Sequence, residues 1–143
     1  MAIPVGAPDW QGQILTGVGA PITPQNLQAL AAWQRGEGGT ANNNPFNTTW
    51  QMPGATPYNT LPGGGHVYNY LTPAQGINAT IRTLHNGLYA PILRALQAGT
   101  NSQAVAQAIA NSQWGTGGRA LTELPYTPAP RVPVYQGVVN RLT

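Results

Sequence analysis

The sequence predicts a mainly α fold: a small helical domain over residues 23–120, interrupted by a long loop region with room for short β strands, and flanked by extended arms at 1–22 and 121–143. Three observations carry this. Two helix starts share one signature, a threonine followed by a first-turn proline, at Thr23-Pro24 and Thr72-Pro73. Apolar residues after each start recur at helical spacing. Prolines and glycines concentrate between 38 and 71 and toward both ends, where they oppose sustained helix. At 143 residues the chain suits one domain with a real core.

Residues 1–22 contain Pro4, Pro8 and Pro21 with several glycines and show no sustained helical period, so they read as an extended arm. The first helix starts at Thr23, whose hydroxyl can cap it, with Leu27, Leu30 and Ala31 on one face. Gly36, Gly38 and Gly39 end it near Glu37. The stretch 38–71 holds Pro45, Pro53, Pro57, Pro62 and the run Gly63-Gly64-Gly65. That is long for a connection and marks a functional loop system, with His66-Val-Tyr-Asn-Tyr70 as a candidate strand.

The next helix starts at Thr72-Pro73-Ala74-Gln75, with a capping-box glutamine, and buries Ile77, Ile81 and Leu84, with Leu88 on the same face. Pro91 starts or kinks a segment carrying Ile92, Leu93 and Leu96, closed by Gly99. Asn101 or Ser102 caps a last helix with Val105, Ala106 and Ile109 inward, stopping at Ser112-Gln-Trp-Gly115. From Leu121 onward Pro125, Pro128, Pro130 and Pro133 exclude helix, while Val132, Val134 and Tyr135 are apolar enough for a segment that lies on protein. Both arms read as docking segments, and the domain 23–120 is expected to fold without them.

Charged residues make up 6% of the chain, against roughly 25% in ordinary globular proteins, so Asn, Gln, Thr and Gly must carry its solubility. The net charge of +3 comes from six scattered arginines, without the clustered basic patch that nucleic-acid binding requires. No cysteine is present and the two histidines, His66 and His85, are isolated, so neither a metal nor another cofactor is expected. The N-terminus shows no basic leader followed by an apolar run, and nothing later is long enough to span a membrane.

Three carboxylates occur: Asp9, Glu37 and Glu123. Only Glu37 stands where a helical pattern breaks into a polar loop, the run Glu37-Gly-Gly-Thr-Ala-Asn42-Asn-Asn-Pro-Phe-Asn47-Thr-Thr49. There it can face a cleft, and the negative end of the helix dipole favours its protonated, proton-donating form. Cleaving a glycosidic bond needs such an acid and usually a second carboxylate, for which Asp9 and Glu123 are poorly placed. Thr48 and Thr49 could place a water. Tyr68 and Tyr70 share one face if their segment is a strand, and both are candidates to line a groove. Trp33 reads as core, Trp114 as core or platform, His85 as structural, and Arg35 and Arg82 as solvated surface.

The order of Glu37-Gly-Gly, Asn44-Pro-Phe-Asn47, Tyr68-Asn-Tyr70-Leu-Thr72, Gly76-Ile-Asn-Ala-Thr80 and Leu84-His-Asn-Gly-Leu-Tyr89 resembles the lysozyme-like superfamily of peptidoglycan hydrolases, over about residues 24–117. It is similar to phage and actinobacterial cell-wall glycosidases, N-acetylglucosaminidases and lytic transglycosylases. The resemblance implies a small helical domain with a groove for an extended glycan. It gives Glu37 the general-acid position, matches Asn44 and Asn47 to the Asn-rich loop after that glutamate, and matches Tyr70 to an aromatic residue across the cleft. The usual second acid is missing between 38 and 122. That favours transglycosylase-like or substrate-assisted chemistry, or a site without turnover.

The function expected is cleavage of β-1,4-glycosidic bonds in bacterial peptidoglycan by a phage virion-associated lysin, carried in the particle, in its tail, with other virion proteins held through the arms. The competing expectations are a structural or glycan-binding virion protein that keeps the fold without turnover, and a free lysis enzyme, which would not need two apolar arms. Neither nucleic acid nor membrane is an expected partner.

Overall fold

The computed structural model describes residues 9–38 and 41–114, together with Leu121 and Leu124. Its described part is mainly helical: α1 (Trp10–Gly17), α2 (Pro24–Glu37), β1 (Thr56–Pro57), β2 (Tyr68–Asn69), α3 (Pro73–Leu84), α4 (Ala90–Ala98) and α5 (Ser102–Ala110). The two strands pair antiparallel, Thr56 with Asn69 and Pro57 with Tyr68. They form the base of a hairpin in the long loop region.

The helix starts obey local chemistry. The Thr23 side chain accepts the Asn26 amide at 3.1 Å, Thr72 accepts the Gln75 amide at 3.1 Å, and Asn101 accepts the Ala104 amide at 3.0 Å. Each satisfies one of the amides that a helix N-terminus leaves without a partner. Gln75 departs from the capping box in one respect. Its Oε1 accepts from the Leu71 amide at 2.9 Å, one residue ahead of the cap, and its Nε2 donates to the Pro53 carbonyl at 2.8 Å. It therefore ties the long loop to the start of α3. Leu88, expected on the buried face of this helix, is exposed instead, because α3 ends at Leu84.

The extended reading of 1–22 is corrected by α1. Residues 10–17 are helical, and Ile14 and Leu15 are fully buried. Two glycines hid the helix, since each lowers helix propensity by about 1 kcal/mol relative to alanine. One of them is a packing requirement: a Cβ on Gly17 would lie 2.4 Å from Ile81 Cδ1. Removing that Cβ lets α1 seat directly on α3, and this tertiary contact rather than local propensity sustains so short a helix. The domain therefore begins at or before Asp9 and not at residue 23.

The first eight residues, Glu123 and the C-terminal arm lie outside the described residues, apart from Leu121 and Leu124. Leu124 is buried in the core cluster with Leu121 packed beside it, and its carbonyl accepts from Gln28 Nε2 at 3.3 Å. Helix α2 packs on α5, α5 on α4, and α1 on both α2 and α3. At the centre stands an aromatic cluster. Trp33 is fully buried, 4.4 Å from the Phe46 ring and 4.8 Å from Trp114, while Trp10 meets Phe46 edge-on at 5.5 Å. Trp33 is thus core, as its spacing predicts.

Candidate functional site

Helix α2 runs through Glu37 and stops at Gly38, whose φ of 59° places it in the left-handed region that glycine adopts without steric cost. Glu37 is therefore the last helical residue, half-buried, with its side chain in a cleft of about 410 Å³. The loop after α2 supplies Asn47, Thr48 and Thr49 to one side of this cleft. The hairpin supplies Asn59, Leu61 and Val67, and Thr83, Tyr89, Gln113 and Trp114 complete the lining. Residues remote in sequence thus share one cleft with Glu37.

The Asn-rich loop divides its labour. Asn44 is fully buried; its Nδ2 donates to the carbonyls of Thr48 at 2.9 Å and Tyr68 at 2.8 Å, and its Oδ1 accepts the Thr48 amide at 2.8 Å. Both amide hydrogens are used. Asn44 holds the loop to β2, which corrects its reading as a substrate-binding residue. Asn43, at a φ of 57°, donates from Nδ2 to the Tyr70 carbonyl at 2.9 Å, and the Asn42 amide donates to Asn69 Oδ1 at 2.9 Å. Asn47 alone among these asparagines turns to the cleft. Its Nδ2 donates to both the main-chain carbonyl and Oε1 of Glu37, each at 3.1 Å.

Tyr68 and Tyr70 do share a face, with ring centroids 6.4 Å apart, yet neither lines the cleft. Tyr70 is buried; its hydroxyl donates to the Trp50 carbonyl at 2.5 Å and lies 2.9 Å from Thr48 Oγ1. Burial pushes its pKa up to about 12, against a smaller lowering by the hydrogen bond with Thr48. Tyr68 is half-buried against the His66 ring at 5.9 Å and Tyr70. Tyr70 supports the loop from behind, with its hydroxyl bonded to Thr48 and Trp50. The expected groove-lining role is corrected for each.

Thr48 and Thr49 do line the cleft, and Trp114 is both core and wall: its Nε1 donates to the Phe46 carbonyl at 3.0 Å and its ring lies 5.1 Å from Tyr89. Burial raises the Tyr89 pKa, so its phenol stays neutral and adds an aromatic, uncharged wall. His85 is an exposed C-cap of α3, its Nδ1 3.1 Å from the Ile81 carbonyl, and Arg82 is exposed. Sequence reasoning did not assign Asn59, Leu61, Val67, Thr83 or Gln113 to the site. The Gly63-Gly64-Gly65 run does signal a tight turn, with φ of 92° and 97° at Gly63 and Gly64, but nothing local says that the turn folds toward Glu37.

Chemically, the cleft offers one carboxyl among the described residues, neutral amides and hydroxyls, and an aromatic and aliphatic wall. Among the described residues no three His, Cys, Asp or Glu side chains gather to hold a metal, and no helix is long and apolar enough to cross a membrane. A carboxyl held in this way can give a proton to a leaving oxygen. No protein-family model matches this chain, and no curated protein or solved structure matches it either.

Proposed function

We propose that the chain is a peptidoglycan glycosidase, related to the lysozyme-like superfamily it resembles, in which Glu37 is the general acid. The observation that carries this reading is the placement of Glu37 at the open end of α2, inside a cleft with Asn47 hydrogen-bonded to its carboxyl. Glu37 passes its proton to the glycosidic oxygen as the bond from that oxygen to the sugar's anomeric carbon breaks. The oxocarbenium-like centre is then captured by water, giving a reducing end, or by the sugar's own hydroxyl, giving an anhydro product, and the proton released by the attacking oxygen returns to the Glu37 carboxylate directly or through solvent. Supporting a polysaccharide ligand are the neutral amides and hydroxyls of Asn59, Thr49 and Gln113 beside the Tyr89 and Trp114 rings. Such a lining suits uncharged sugar hydroxyls and acetamido groups.

The scarcity of charge and the apolar, proline-rich sequence after Leu124 support a place in a phage particle, in its tail, where other virion proteins would cover that segment. A second reading, a glycan-binding virion protein without turnover, is favoured by one observation: Glu37 is the only carboxylate among the described residues that line the cleft.

Digestion of purified peptidoglycan followed by mass spectrometry of the released fragments decides between the two and gives the bond cleaved and the type of end. The expected result is fragments with the wild-type chain and a rate lower by about 10² to 10⁴ with Glu37→Gln, the usual worth of general acid catalysis. Cleavage at the wild-type rate by Glu37→Gln would remove Glu37 from the chemistry. Binding without fragments would favour the second reading.

A further inference from the structure

Asn47 adopts a φ of 55°, a left-handed conformation that few residues other than glycine and asparagine take readily. That backbone turn brings its amide back to the end of α2. There Nδ2 meets two acceptors at once, the Glu37 main-chain carbonyl and Glu37 Oε1, each at 3.1 Å. Because both partners accept, the nitrogen end of the amide has to face them. The carbonyl is one of those that a helix C-terminus leaves without an intrahelical partner. One side chain thus caps the helix and ties the carboxyl to the same point.

We propose that Asn47 is the positioning residue of Glu37: it fixes the rotation of the carboxyl and ties Oε1 to the end of α2. This rests on the reading of Glu37 as the general acid. A second consequence concerns charge. An N–H donated to a carboxylate oxygen stabilises the ionised form, so loss of the Asn47 amide moves the Glu37 titration midpoint upward.

Arg35 lies two positions back on α2, and the 41–49 loop contributes nothing titratable. The hairpin wall is Asn59, Leu61 and Val67, with His66 adjacent in sequence; from α3 comes Thr83, with the exposed Arg82 beside it; and Tyr89 stays neutral.

The test is a carboxyl-carbon NMR titration of the full chain alongside cleavage kinetics. The chain has only two glutamates, Glu37 and Glu123, so Glu37 is assigned by the resonance lost in Glu37→Gln. Asn47→Gly keeps the left-handed backbone and removes only the amide, while Asn47→Asp keeps the size and replaces the donor by a second carboxylate. The Glu37 midpoint is expected to rise by about one pH unit in Asn47→Gly and at least as far in Asn47→Asp, and to stay in place in Gln113→Ala. The alkaline limb of the pH–rate profile should move up with it, and kcat should fall by about tenfold with KM much less affected.

A midpoint that does not move in either Asn47 variant overturns the proposal, even if cleavage slows, because a slower reaction alone reflects only the lost helix cap. A raised midpoint together with wild-type cleavage by Glu37→Gln leaves the clamp standing and rejects the glycosidase reading instead.

Discussion

The hydroxyl of Tyr70 lies 2.9 Å from Thr48 Oγ1 and also donates to the Trp50 carbonyl. A phenol has a single hydrogen, and here it goes to Trp50, so Thr48 is the donor to Tyr70. The loop that carries Thr48 into the cleft is therefore held from behind by a buried phenol. Tyr70→Phe keeps the ring but strands the Thr48 hydroxyl, and a stability loss of about 1–3 kcal/mol is expected in denaturant unfolding.

The same tyrosine sets an alkaline limit. Its folded pKa, raised by burial to about 12, lies above the ordinary value of 10.0. The unfolded chain therefore ionises first, and the stabilisation present below pH 10 is lost as pH rises toward 12. Unfolding measured across this window should show the decline in the wild type and a shallower one in Tyr70→Phe. Equal slopes would place the pH dependence elsewhere.

Gly76 marks the closest approach of the Asn-rich loop to α3. A Cβ at this position would stand 1.7 Å from the Asn43 carbonyl oxygen, a main-chain atom that cannot move aside alone. Gly76→Ala is expected to destabilise by about 3 kcal/mol or more, despite alanine's better helix propensity. A melting temperature at or above the wild type would show that the loop yields freely.

Helix α1 is part of the core, so cutting the chain at residue 23 should prevent cooperative folding. Ile14 and Leu15 are fully buried and together contribute roughly 3–6 kcal/mol, a large share of a typical net stability of about 5–15 kcal/mol. Leu15→Ala alone is expected to cost about 2–5 kcal/mol. A folded, sharply melting chain beginning at residue 23 would contradict this.

Asp9 stands ahead of α1 and does not line the cleft. Asp9→Asn is expected to change peptidoglycan cleavage by less than about threefold, small beside the effect expected of Glu37→Gln. The same measurement applies to Glu123→Gln. A defect as large as that of Glu37→Gln in either variant would reveal a second working carboxylate.

The legible parts of the fold were those written in neighbouring residues. Thr23 with Asn26, Thr72 with Gln75 and Asn101 with Ala104 are caps three residues long, and Gly38 and Gly99 close their helices in left-handed conformations. The position of Glu37 at a helix end followed from the same signals. Helix α1 was illegible because Gly12 and Gly17 look like breakers until Ile81 is known to lie against one of them.

Asn42, Asn43, Asn44 and Asn47 are chemically alike, and no local pattern separates the one that meets Glu37 from those that bond to Thr48, Tyr68, Asn69 and Tyr70. Tyr70 likewise reads equally well as a sugar platform or as a buried strut. By itself the sequence determined where helices start and stop and which acid ends one of them, since caps and breakers act within a few residues. Only the tertiary structure decided which side chains share the cleft with that acid. The hairpin, the end of α3 and the residues after α5 reach Glu37 through packing around Trp33, Phe46 and Trp114, a burial of apolar surface that depends on the whole chain at once.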